Sequence, residues 1–349
     1  MSNFDEYIRQ SEPHKRERGY AWQTAIGLQA VDGLKTSDYL IETARQHIEG
    51  DITIDEVQKL INSYYQSKII RNDETEEADK VAANITQLLS ERSFAFTIAG
   101  FTAVHRRIFA GVFKFAGKIR DYNITKKEWV LEGDTVLYVS ALDLRRAIEY
   151  DMEQEKEFNY AGLSQEQVVS HIAKFISGLW QIHPFGEGNT RTVAVFAIQY
   201  LRSMGFDVEN NLFAEYSWYF RNALVRANYQ NVQKGVRRNP EYLELFFRNL
   251  LMGEKNELKN RSIHIKSENQ NAKSQEDKDP KCKFCTLDCT LEETAILRYI
   301  KENPRATQKE IAAHIGKSER TVKSITVNLT TKGIIERING KRNGFWEVK

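Results

Sequence analysis

Cysteine is scarce in this sequence: 349 residues hold three, at Cys282, Cys285 and Cys289. An odd, clustered set is not a disulfide framework, and it fits a reducing compartment. The Cys-x-x-Cys spacing is zinc-like, and His264 could complete four ligands. The last pair is oddly spaced, however, and no second Cys-x-x-Cys exists, so the thiols are read as free or buried. Apolar runs of membrane length are also missing, and Met1–Tyr20 carries no signal-peptide pattern. The expectation is a soluble, cytoplasmic protein without a membrane partner. Charge of one sign is lacking too: the net charge of +2 says little about partners. What is present is a hydrophobic share of 41%, ample for a packed core, in a length that suggests two or three domains.

Along the chain the pattern is mainly helical. Residues 1 to about 35 are polar and irregular. A helix is expected from about Ser37 to Glu49, closed by Gly50, and a second begins at Thr53 with Glu56 three residues on, a capping-box pattern. From Asp79 to Phe115 the apolar residues recur as core faces, with His105 at their edge. The segment "KIRDYNITKKEWVLEGDTVLYV" then changes character. Its β-branched and aromatic residues, with Gly133-Asp134 as a turn, predict a hairpin. Lys126 and Lys127 in it are solvated charges able to attract nucleotide or target. Helices follow over about 142–157, on both sides of residue 183, over "SWYFRNALVRAN", and in "NPEYLELFFRNLLMG". The expected domains are a helical N-terminal region over 1–75, a core over 76–253, a linker over 254–290 and a small domain over 291–349. Residues 254 to about 280 are too polar to hold a core.

The stretch with chemistry is His183-Pro184-Phe185-Gly186-Glu187-Gly188-Asn189-Thr190-Arg191. Apolar residues at helical spacing precede it (Val169, Ile172, Ile176, Leu179) and follow it (Val193, Phe196, Leu201), so it is a loop that opens a helix. A helix N-terminus offers unpaired N–H groups and a positive partial charge, which suit phosphate. Gly186 and Gly188 let backbone approach an anion closely. Arg191 adds a planar cation. Glu187 is an oxygen ligand suited to Mg²⁺ beside substrate phosphates. His183 is the side chain here that takes a proton near neutral pH.

These residues resemble the signature of the Fic family: His, any residue, Phe, any residue, Asp or Glu, Gly, Asn, Gly, Arg, two residues, Arg. His183, Phe185, Glu187, Gly188, Asn189 and Arg191 match. Thr190 stands where Gly is usual, and Ala194 where a second Arg is expected. The resemblance spans about residues 35–250. It implies a helical Fic core with a β-hairpin flap, whose edge (Ile124, Thr125, Lys126) lays a target polypeptide over the loop by strand addition. It implies ATP along the loop, held by backbone N–H groups from Gly186 to Arg191 (Gly186, Glu187, Gly188, Asn189, Thr190, Arg191), with Mg²⁺ on Glu187. It makes Phe220 and Asn228 nucleotide-contact candidates. His183 then takes the proton from a target Ser, Thr or Tyr hydroxyl, and AMP is transferred. The helix–Gly–helix unit resembles the family's antitoxin-like inhibitory module, with Arg45 where Ser or Thr belongs. Glu49, oriented by Arg45, is therefore expected to block the γ-phosphate site.

From Leu291 on, helix, helix, turn, helix and a hairpin with Asn339-Gly340 and Asn343-Gly344 resemble a winged helix-turn-helix. Twelve Lys and Arg against seven acids leave this stretch at +5. Lys317, Arg320, Lys323, Lys341 and Arg342 suit DNA phosphate, although such folds also bind proteins. The reading is a protein adenylyltransferase. Its rivals are a Fic enzyme that removes AMP or transfers another nucleotidyl or phosphoryl group, and a nucleotide-sensing DNA-binding regulator. A metal-dependent hydrolase is disfavoured, because no second carboxylate or His cluster lies near the loop. A homodimer is a further open partnership.

Overall fold

The computed structural model describes residues 4–10, 12–67, 75–208, 211–266, 296–297, 299–301, 303–315, 317–331, 334–338 and 344–348. The cysteine cluster, most of the expected linker and the wing tip with Lys341 and Arg342 lie outside the described residues. The chain divides into two compact units, Met1–Asn269 and Gln270–Lys349.

The first unit is helical: α1 (Asp5–Gln10), α2 (Pro13–Gly27), a 3-10 turn (Leu28–Asp32), α3 (Asp38–Glu49), α4 (Ile54–Ser67), α5 (Glu76–Ser90) and α6 (Ile98–Ile108) lead to α7 (Leu144–Glu157), α8 (Gln165–Ile182) and α9 (Asn189–Ser203). Then come α10 (Leu212–Glu215), α11 (Ser217–Asn228), α12 (Glu241–Met252) and α13 (Asn260–Ile263). Local chemistry fixes several ends. Ser37 accepts from the Leu40 N–H and starts α3, and Gly50, at φ 95°, ends it in the left-handed region. The capping box at α4 forms: Thr53 N donates to Glu56 Oε2 at 2.7 Å, and Glu56 N to Thr53 Oγ1 at 3.3 Å. Ser164 and Gln167 make the same reciprocal pair at the start of α8.

The core lies around α9. From Asn189 to Leu201 every residue of that helix is buried, because α5, α6, α8 and the 3-10 turn all pack on it. A helix apolar on most sides belongs inside a bundle, not on its surface. The catalytic-type loop is therefore mounted on the most enclosed element of the unit.

The expected hairpin takes another form. Residues 119–139 run out and back around a short turn at Trp129–Leu131, but no strand ladder joins the two arms among the described residues. The turn at Gly133-Asp134 is present, with Glu128 N donating to Asp134 O at 2.9 Å. Side chains replace the ladder. Arg120 Nη1 donates to Tyr122 O on one arm and Nη2 to Val139 O on the other, at 2.5 and 2.7 Å.

The second unit holds α14 (Gln308–Ile315), α15 (Glu319–Thr331) and an antiparallel pair, β1 (Ile335–Ile338) with β2 (Phe345–Val348). Ile296, Ile300, Ile311, Val322, Leu329, Ile335 and Trp346 form its small core. Trp346 Nε1 donates to Ala306 O at 3.1 Å and ties the sheet to the helices. Two of the expected helices and the paired strands of the hairpin are in place among the described residues, and the first expected helix is described only in part.

Candidate active site

The loop begins where α8 stops. His183 has φ 52° and ψ 57°, a left-handed conformation uncommon outside glycine, which turns the chain sharply out of the helix. Arg120 holds that turn: its Nε donates to His183 O at 2.8 Å, and its backbone N to Pro184 O at 2.9 Å. Asn189 closes the loop from the other end. Its Oδ1 accepts from Phe185 N at 2.9 Å and its Nδ2 donates to Phe185 O at 2.8 Å. Phe185 is wholly buried and stacks on His105 with ring centroids 3.8 Å apart. His105 Nδ1 accepts the Gly117 N–H at 2.7 Å, so its proton is on Nε2, which donates to Glu187 O at 3.1 Å. Burial keeps that ring neutral, with its pKa lowered to about 4.

Carbonyl anchoring sets where the amides face. In a trans peptide the C=O and N–H of one unit point opposite ways. With Phe185 O on Asn189 and Glu187 O on His105, the N–H groups of Gly186 and Gly188 are turned the other way. Six consecutive N–H groups, Gly186 to Arg191, have no acceptor among the described residues. They sit at the N-terminus of α9, where the helix dipole adds positive potential. Gly188 is required twice: its φ is 74°, and a Cβ there would stand 2.1 Å from the Phe109 ring.

His183 is 3% exposed, packed against Tyr138 at 4.2 Å between ring centroids. Its Nδ1 donates to Trp180 O at 3.3 Å, which leaves the lone pair on Nε2. That Nε2 is buried and has no hydrogen-bond partner. Burial first, and then the nearby Lys126 cation, hold the His183 pKa well below its ordinary value. The imidazole is thus a neutral, unpartnered acceptor on the loop that carries the six unpaired N–H groups.

Residues 95–201 match the sequence model of the Fic/DOC family. The chain carries a Fic/DOC domain. Residues 293–336 match the model described as winged helix-turn-helix DNA-binding. Among solved structures, a Fic family protein from Desulfovibrio desulfuricans G20 is similar at 12% identity, over 99% of this chain and 90% of that one, with a TM-score of 0.47. The Bartonella tribocorum BepC protein with bound AMPPNP is similar at 16% identity, over 51% and 87%, with a TM-score of 0.39. The N-terminal Fic domain of a Bartonella quintana cell filamentation protein with bound ADP is similar at 17% identity, over 63% and 88%, with a TM-score of 0.37.

Several expected site residues, inside and outside the matched span, make structural contacts. Phe220 is fully buried and packs on Phe213 and Phe246 at about 5 Å, as part of the core. Asn228 Nδ2 donates to Ser177 O and Oγ and to Leu224 O, pinning α11 to α8. Thr190 lends its hydroxyl to Trp180 Nε1 at 2.9 Å, a physical reason for Thr where Gly is usual. Ala194 is wholly buried in α9. The residues expected to form the inhibitory pair have partners of their own. Glu49 binds Lys15 at 2.6 Å and Tyr7, while Arg45 binds Glu6 at 3.0 Å. Those partners lie on α1 and α2, not on the loop.

The carboxylates that do reach the loop are ones the sequence did not single out. Arg191, 1% exposed, has Nη2 2.7 Å from Glu77 Oε1, Nη1 3.0 Å from Gln29 Oε1, and Nε 2.8 Å from Asp32 Oδ2, the last off the hydrogen-bond axis. The cation expected to grip phosphate is engaged by the 3-10 turn and α5. Of the expected flap residues, Lys126 reaches the loop: its Nζ donates to Glu187 Oε1 at 2.9 Å. Ile124 packs partly buried against the core, and Thr125 is exposed.

For Mg²⁺, the loop offers one partly exposed carboxylate, Glu187, at the rim of the amide cradle. Among the described residues no group of three or more His, Cys, Asp or Glu could hold a metal. That donor set fits a Mg²⁺ carried in on substrate phosphates and does not fit an all-protein cage.

Proposed function

We propose that this protein is a nucleotidyltransferase that moves AMP from ATP to a Ser, Thr or Tyr hydroxyl of a target protein. The observation that carries the reading is the run of six acceptor-less N–H groups, Gly186 to Arg191, beside an unpartnered His183 Nε2. The amides hold the phosphates. Nε2 accepts the hydroxyl proton as the target oxygen bonds to the α-phosphorus, and the bond to pyrophosphate breaks. Glu187 would hold a Mg²⁺, which would supply charge neutralisation to the phosphates. Positioning and electrostatics do most of the catalysis in such a transfer. The Asp32–Arg191–Glu77 cluster, with its guanidinium buried, supports a check on the site by the 3-10 turn and α5, exerted on Arg191. The winged helix supports DNA as a second partner. The test is incubation with α-labelled ATP and Mg²⁺ beside a His183→Ala control. Label on protein in the wild type alone is expected. DNA retention with no label in either sample overturns the reading in favour of a regulator.

A further inference from the structure

A polyphosphate seated on amides alone keeps most of its negative charge, so a cation is needed at the mouth of the cradle. Four cations lie on the loop or close enough to His183 to act on it: Arg191, Arg120, Arg221 and Lys126. Three are committed elsewhere. Arg191 is enclosed by Asp32, Glu77 and Gln29. Arg120 gives Nε, Nη1 and Nη2 to the carbonyls of His183, Tyr122 and Val139. Arg221 binds the buried Glu128 carboxylate at 3.0 Å and Val31 O at 2.8 Å.

Lys126 differs. An ammonium carries three donors, and the partner of Nζ here is the single Glu187 Oε1 at 2.9 Å. Its side chain is 24% exposed, and that of Glu187 is 44% exposed, so the pair stands at the open rim of the loop. The neighbouring Lys127 is exposed, with no ion pair to the loop among the described residues. A flexible lysine on an arm is also able to follow a ligand in a way that the bolted arginines are not.

We propose that Lys126 is the polyphosphate-binding cation of this site, contacting ligand oxygens with the donors that Glu187 leaves open. The assignment rests on reading the loop as a polyphosphate cradle, and it makes the flap arm part of the nucleotide site. It predicts selectivity by phosphate number: Lys126 acts on ATP and pyrophosphate and hardly on AMP.

The experiment is calorimetric titration of the full chain in a His183→Ala background, with ATP, inorganic pyrophosphate and AMP, in Mg²⁺ and in EDTA. Lys126→Gln is expected to weaken ATP and pyrophosphate about tenfold or more, the size of a charge-assisted contact. AMP is expected to change less than about twofold, and Lys126→Arg to restore most of the loss. In EDTA, Glu187→Gln, which releases Lys126 from its ion pair, is expected to raise pyrophosphate affinity. Unchanged ATP and pyrophosphate binding in Lys126→Gln, an equal loss for AMP, or no gain in Glu187→Gln overturns the assignment. A parent chain that binds neither ATP nor pyrophosphate overturns the cradle reading itself, which distinguishes the two failures.

Discussion

A buried lone pair with no donor is costly, and His183 Nε2 is such an atom, wedged beside Tyr138 with its other nitrogen tied to Trp180 O. A base kept neutral by burial and by neighbouring cations stays competent as the solution turns acid. The pKa of His183 is lowered well below 6.5, so the unprotonated form persists below that pH. The transfer rate is therefore expected to show no acid limb at the ordinary histidine value. A stopped assay with labelled ATP between pH 5 and 8 checks this, and a half-maximal rate at or above pH 6.5 contradicts it. The position of this residue, in a loop that opens a helix, was legible from the sequence, because a His followed by Gly-rich backbone and a helix start is a local pattern. Its left-handed backbone and the clamp from Arg120, 63 residues away, were not.

Among the elements, the 3-10 turn and α5 bear on α9 through Arg191. Asp32 and Glu77 hold its guanidinium where an anionic ligand is expected to compete. Replacing both carboxylates by their amides (Asp32→Asn with Glu77→Gln) is expected to raise ATP affinity about threefold or more, since a neutral partner holds the cation less strongly. The melting temperature is expected to fall, because a buried arginine has lost its counter-charges. Titration and thermal melting of the same sample check both. ATP affinity equal to wild type contradicts the clasp. The sequence pointed instead to Glu49, since a helix followed by Gly at the right spacing is visible locally. What a carboxylate faces is set by tertiary packing, and the partners of Arg191 are 114 and 162 residues away. The packing of Phe220 and Asn228 was illegible for a related reason. An aromatic at helical spacing looks the same in a core as at a site, and here the neighbouring rings Phe213 and Phe246 decide for the core. The flap was legible as an out-and-back segment, while the bridge that the Arg120 side chain makes between its arms was not.

For the molecule as a whole, the helical class and the small C-terminal winged helix followed from apolar periodicity and turn residues, the most local signals a chain carries. Among the described residues no helix is long and apolar enough to cross a membrane. The first unit also has a predictable weakness in acid. His47 accepts from Trp22 Nε1 at 3.0 Å, His105 lies under the loop, and burial lowers each pKa to about 4. In the unfolded chain both return to 6.5. Between pH 6.5 and about 4 the unfolded state therefore binds more protons, so stability falls as pH falls through that window. The loss is on the order of 3 kcal/mol for each histidine by the end of it. Urea melts at pH 7, 5.5 and 4.5 check the sign. Stability unchanged across them contradicts the buried neutral assignment.

The cradle itself is open to direct observation. In amide-resolved NMR of the full chain carrying His183→Ala, ATP is expected to shift the N–H signals of Gly186 through Arg191 more than any other contiguous run, with inorganic pyrophosphate reproducing the effect. If those six signals stay in place while ATP shifts amides elsewhere, the loop does not seat the phosphates and the account is wrong.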